Sequence, residues 1–241
     1  DLCDEVGDKW IQLGKDLCGT HVMRSLLHSL TGRISVANNK TGSYTGKKKK
    51  KKKSGSKGKG RKKKGVAEYD EKYFNNLSNA IPEKTHEIPS SWSETLSNII
   101  QSVSAKPAKD LYDMTFDTNA SPILQLLLTL GSDKEDETDS LIRRILDWDE
   151  LVAYEQRCAE KKQQSHIDGT ELEQFRSWVD DMIRDTCSSH VLEVILQSSS
   201  DELFADLLDR IFSAHIAKYA KLPICNYVIQ QLITCVRSDR K

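Results

Sequence analysis

An all-α chain, an α-solenoid built from a repeated helical motif, is what the sequence predicts, on three observations. Apolar residues recur at the three- and four-residue spacing of a buried helix face, while the strict alternation of a strand is hard to find anywhere. One eight-residue pattern occurs four times without a gap, as THVMRSLL from Thr20, SPILQLLL from Ser121, SHVLEVIL from Ser189 and NYVIQQLI from Asn226. The copies start 101, 68 and 37 residues apart, the last a single repeat length, so the other repeats carry insertions.

Helical periodicity marks Trp10 to Leu30, Ser93 to Ser104, Ser121 to Leu130, Asp139 to Lys161, Glu171 to Arg184, Ser189 to Gln197, Asp201 to Tyr219 and Asn226 to Arg237. The stretch from Thr31 to Gly65 is rich in Gly, Ser, Thr, Asn and Lys. Its few apolar side chains cannot offset the entropy of ordering the chain, so disorder is expected there. The chain therefore divides into a repeat segment at 1–31, a lysine-rich insertion at 32–66 and further repeats of the same array at 67–241. Asp1 is no natural start and the pattern runs almost to Lys241, so a segment of a longer protein is expected.

A formal charge of zero hides a split. Lys47 to Lys64 holds 13 basic residues and no acid; setting these aside leaves 23 of the 36 basic residues against 36 acidic ones, a charge of −13. A run of like charge this dense can serve as a nuclear or nucleolar address and as a nonspecific contact to phosphate. No stretch approaches the roughly 18 apolar residues that a membrane span requires, so a soluble intracellular protein with no membrane partner is expected.

The six cysteines, Cys3, Cys18, Cys158, Cys187, Cys225 and Cys235, form no CxxC pair, and Cys18 with His21 has no second pair to complete a zinc site. His21 and His28 on one helix would stand about 10 Å apart along the axis, too far to share an ion. Cys187 and Cys225 adjoin apolar runs, where buried reduced thiols are common. With no nucleophile motif and no glycine-rich phosphate cradle either, neither an enzyme nor a cofactor or metal site is expected.

The eight-residue pattern itself carries the functional expectation. On a helix, Val22, Met23, Leu26, Leu27 and Leu30 fall on one apolar sector, and Val191, Leu192, Ile195 and Leu196 or Val228, Ile229, Leu232 and Ile233 do so in later copies. Residues one, two and five fall opposite: Thr20, His21 and Arg24; Ser121, Pro122 and Gln125; Ser189, His190 and Glu193; Asn226, Tyr227 and Gln230. A planar ring flanked by a short polar side chain and by an acid or amide one turn later suits stacking on a base while gripping its edge. Unstacked, single-stranded RNA is the ligand this chemistry fits.

These residues resemble a known family. NYVIQ from Asn226 looks like the base-reading motif of Pumilio (Puf) repeats, and SHVLE from Ser189 is similar to it in another specificity. Arg24 at the fifth position and Pro122 at the stacking position depart from the pattern. Degenerate repeats, long insertions and the run CGTHVMRSLL from Cys18 together resemble the divergent nucleolar Pumilio-like proteins of the nucleolar protein nine type. The resemblance implies three-helix repeats, single-stranded pre-ribosomal RNA as partner with pre-ribosomal proteins beside it, nuclear and nucleolar location, and maturation of small-subunit ribosomal RNA. By position it implies that Asn226 and Gln230 hold a uracil edge with Tyr227 stacking, that Ser189 and Glu193 hold a guanine with His190 stacking, and that Ser121 and Gln125 resemble an adenine-reading pair without its ring. The competing expectation is a HEAT-like scaffold that binds protein partners.

Overall fold

A computed structural model describes residues 9–32, 86–153, 156, 178–213 and 215–237. The lysine-rich run from Lys47 to Lys64, Cys3, Cys158, and the remainders of the helices expected at Asp139 to Lys161 and Glu171 to Arg184 lie outside the described residues. Among the described residues lie ten α-helices with both ends defined: α1 (Trp10–Lys15), α2 (Leu17–Leu30), α3 (Ser90–Ser104), α4 (Ala108–Phe116), α5 (Ser121–Leu130), α6 (Glu135–Ile145), α7 (Ser188–Ser198), α8 (Asp201–Leu207), α9 (Ile216–Tyr219) and α10 (Cys225–Arg237). A π-helical turn, Leu208–Phe212, extends α8, and residues 148–153 and 178–184 are also helical. No strand occurs among the described residues.

The helices fall into three rows. α2, α5, α7 and α10, which carry the four copies of the eight-residue pattern, pack side by side in that order. On one side of them, α1 packs on α4, Tyr112 of α4 lies against Trp178 with ring centroids 3.8 Å apart, and Asp180 bonds Lys218 and Tyr219 of α9, so α1, α4, residues 178–184 and α9 form a second row. In the third row α3 packs on α6, and Asp139 of α6 accepts hydrogen bonds from the Ser200 amide and hydroxyl at the start of α8. Three of the four repeats thus contribute one helix to each row, the three-helix repeat expected of the solenoid, and the fourth contributes α9 and α10 among the described residues.

One continuous apolar core runs from Trp10 to Cys235. Leu27, Leu127, Val191 and Val228, one from each copy, are fully enclosed in it, so segments on both sides of the lysine-rich stretch share one interior. Burying such side chains is the dominant stabilising term, about 1.5–3 kcal/mol for each relative to full exposure.

Several expected boundaries are corrected. The helix expected from Trp10 to Leu30 breaks at Asp16, whose extended backbone and side chain serve as the cap of α2. The one expected from Asp201 to Tyr219 is interrupted after Phe212 and resumes at Ile216. The pattern starting at Asp139 begins earlier, at Glu135, and turns sharply at Asp147, a non-glycine residue at φ 50°. α4 was not expected; Leu111, Met114 and Thr115 are its buried face, a short stripe that starts after Pro107. Gly32 closes α2 at φ 67°, where a side chain would in addition meet the His86 carbonyl at 2.5 Å.

Candidate nucleic-acid interface

Every copy of the pattern is entered through the same turn. The amides of Thr20, Ser121, Ser189 and Asn226 donate to the carbonyls four residues earlier, on Asp16, Asp117, Asp185 and Leu222. In three copies the aspartate side chain also satisfies amides that would otherwise be unpaired at the helix start. Asp16 accepts from Cys18 and Gly19, Asp117 from Asn119 and Ala120, and Asp185 from Cys187 and Ser188. The residue just before the copy is small because the turn is tight: a side-chain carbon on Gly19 would lie 2.4 Å from the Leu13 carbonyl oxygen. The sequence carries this signal, an aspartate four residues ahead of three copies, just outside the eight-residue pattern itself.

Position one is not the exposed site expected. Thr20, Ser121 and Ser189 are 3%, 1% and 2% exposed, and only Asn226 is half-buried. Two of these hydroxyls tie neighbouring copies together in one register. Thr20 Oγ1 donates to the Asn119 carbonyl at 2.7 Å, and Ser121 Oγ donates to the Cys187 carbonyl at 3.3 Å, in each case the residue two before the next copy. Asn119 returns the first contact by donating from Nδ2 to the Lys15 carbonyl. Ser189 turns to Thr186 of its own turn at 3.5 Å.

Positions two and five then distinguish the copies. On α5 all three expected residues are buried: Pro122 is enclosed, and Gln125, 4% exposed, donates from Nε2 to Ser121 Oγ at 3.0 Å. α5 lies between α2 and α7 and is apolar on nearly every side, so its polar residues bond inward instead of facing solvent. On α2, His21 is exposed and Arg24 half-buried, and Arg24 Nη2 donates to His21 Nδ1 at 2.8 Å. On α7, His190 and Glu193 are half-buried, with Nδ1 3.1 Å from Oε1. On α10, Tyr227 is 53% exposed and Gln230 exposed, one turn apart on the same side as Asn226. The apolar sector is also narrower than expected: Val22 is 69% and Ile233 45% exposed.

Away from this row, Tyr112, Asp113, Phe116, Asp181, Arg184 and Asp185 line an open groove of about 540 Å³ between α4 and residues 178–184. Burial and the carboxylates of Asp181 and Asp113 push the Tyr112 hydroxyl up to about 12. Three carboxylates around one groove, with Arg184 the one cation among its lining residues, disfavour phosphate there. Burial also pushes the Cys187 and Cys225 thiols up, and both are free and enclosed, as expected of them. Among the described residues no three potential metal ligands converge, and no helix is long and apolar enough to cross a membrane.

The sequence profile of the NOP9-like PUF repeat domain matches residues 1–240. The chain belongs to that family. This NOP9-like PUF chain is 27% identical over 185 residues to nucleolar protein 9 of Pyrenophora tritici-repentis (strain Pt-1C-BFP), a match covering 73% of the chain and 24% of that protein. Among solved structures it resembles APUM23 with GGAAUUGACGG, at 19% identity and a TM-score of 0.59, over 98% of the chain and 34% of the other. APUM23 with GGAUUUGACGG gives 20% identity and 0.59 over 98% and 35%. The chain thus spans about a quarter of the length of the curated relative and about a third of the solved ones. Their fold is the three-helix solenoid seen here.

Proposed function

We propose that this NOP9-like PUF chain binds single-stranded RNA along the row α2, α5, α7 and α10, and serves in the nucleolar maturation of small-subunit ribosomal RNA. Its work is recognition, without catalysis. The observation that carries the reading is the α10 triplet: an exposed Tyr227 ring with Asn226 and Gln230 beside it on the same helix, at the place the repeated pattern assigns to base contact. Such a ring offers a stacking platform and the two amides offer both donors and acceptors to a base edge. His190 and Glu193 of α7 offer a ring and a carboxylate in the same register. In support, APUM23, which shares the fold, has been solved with the RNA sequences GGAAUUGACGG and GGAUUUGACGG, and the relative from Pyrenophora tritici-repentis is named a nucleolar protein. The 13 basic residues from Lys47 to Lys64 would add attraction to phosphate that is independent of sequence.

The test is a change of base preference. Asn226→Ser combined with Gln230→Glu recreates the Ser189 and Glu193 pair, and the preferred base at that step should move from uracil towards guanine in RNAs differing at one base. Tyr227→Ala should weaken binding by about 1–3 kcal/mol, the worth of one stacked base, without changing which base is preferred. A double variant with the parent's preference at every step would remove α10 as a reader and favour the protein-binding scaffold.

A further inference from the structure

We infer that the row does not read a base at every copy: base reading is confined to α7 and α10, α5 is a spacer that no base enters, and Arg24 with His21 on α2 holds a backbone phosphate. The inference rests on the RNA-binding reading above. Its physical ground is the spending of donors and acceptors. A base needs a ring at position two to stack on and, where its edge carries an N–H, an acceptor at position five or one; on α7 the Ser189 hydroxyl is spent on the Thr186 carbonyl, so the half-buried His190 ring and the Glu193 carboxylate are what that copy offers. On α5 positions one and five are both buried and turned into the array, Ser121 donating to the Cys187 carbonyl and Gln125 Nε2 to Ser121, and the ring position is an enclosed proline. A base brought to α5 would find no ring to lie on, and the side chains at positions one and five are 1% and 4% exposed.

On α2 the hydroxyl of Thr20 is likewise spent, on the Asn119 carbonyl. What remains can only donate. A guanidinium has no acceptor, so the 2.8 Å contact fixes His21 Nδ1 as the acceptor and leaves the imidazole proton on Nε2. Guanidinium and Nε2–H then form a face that offers hydrogen bonds and accepts none, complementary to an acceptor-only anion. The charge around it agrees: α2 from Leu17 to Leu30 contains one arginine, two histidines and no acid, and α5 beside it contains no charged residue. The nearest acid in sequence, Asp16, is occupied by the amides of Cys18 and Gly19.

The experiment compares parent chain, Arg24→Gln, Arg24→Lys and Gln125→Met. Each is selected against a randomised 12-nucleotide single-stranded RNA pool and titrated with labelled GGAAUUGACGG at several salt concentrations, with circular dichroism to confirm the fold. Arg24→Gln should leave the base preferred at every position unchanged and flatten the slope of log affinity against log salt by about 0.7, one single-strand phosphate contact. Arg24→Lys should keep the slope, and Gln125→Met should leave the preferences unaltered. Loss of a base preference in Arg24→Gln, or an unaltered salt slope, would overturn the phosphate assignment, and a preference lost in Gln125→Met would overturn the spacer. A parent chain with no preference, or one indifferent to His190→Ala and Tyr227→Ala, would instead remove the base-reading interpretation beneath it.

Discussion

Asp180 joins residues 178–184 to α9. Lys218 Nζ lies 3.1 Å from it, the Tyr219 hydroxyl donates to it, and Arg184 stands at 4.0 Å. Burial alone would raise this carboxyl, but hydrogen bonds from Tyr219 and Lys218 and the charges of Lys218 and Arg184 outweigh it and hold the group below the usual carboxylate range. A depressed value stabilises the fold above the carboxyl's unfolded-state pKa, and that contribution is lost as pH falls through the lower folded-state value. The melting temperature of the parent should therefore drop more steeply below about pH 4, the ordinary carboxylate pKa, than that of Asp180→Asn. Near neutrality that variant should cost about 1–3 kcal/mol by weakening the bonds to Tyr219 and Lys218. Equal acid sensitivity of the two proteins would show that Asp180 contributes nothing to the pH dependence. At this scale the sequence was only partly legible. It marked Tyr227, Gln230 and His190, whose chemistry is intrinsic to the residue. It could not reveal that Thr20, Ser121 and Gln125 face inward, because that depends on carbonyls 99 and 66 residues away and on two neighbouring helices.

Among the elements, the aspartate ahead of α2, α5 and α7 recurs where the fourth copy has Leu222, which packs against the core. Removing the acceptor from the middle copy isolates its effect, since Asn119 and Ala120 both donate to Asp117. Asp117→Ala should cost about 0.5–2 kcal/mol, seen as a lower urea midpoint, with helix content retained. A midpoint within error of the parent's would mean that water caps the turn equally well. Helix centres were readable from periodicity because each has a buried stripe, and α5 and α10 were placed within a residue or so of their ends. Boundaries failed where capping chemistry overrode the stripe, as at Asp16. α4 was missed because its apolar face spans barely two turns.

For the molecule as a whole, the four copies announced a solenoid, and the structure sets its helices in three rows, of four, four and three helices among the described residues. What composition could not convey is that a single core joins the parts on either side of the lysine-rich stretch. The hydroxyl of Thr20 and the carbonyl of Asn119 are 99 residues apart in the chain, while the starts of the third and fourth copies are separated by 37. Closing the longer connection costs about 0.9 kcal/mol more in chain entropy than closing the shorter one, before either contact returns anything. Assembly of the array therefore has a direction. The α7 and α10 pair should dock early, and α2 should be the last helix of the row to find its place. Pulsed hydrogen exchange during refolding should show amides of α7 and α10 protected before those of α2; protection rising together along the row would mean that the array forms in one step. Folding in that order leaves α7 and α10, the helices proposed to read bases, formed before the end of the row that holds Arg24, so on that proposal an RNA strand is engaged at α10 while the seat proposed for its phosphate is still being built.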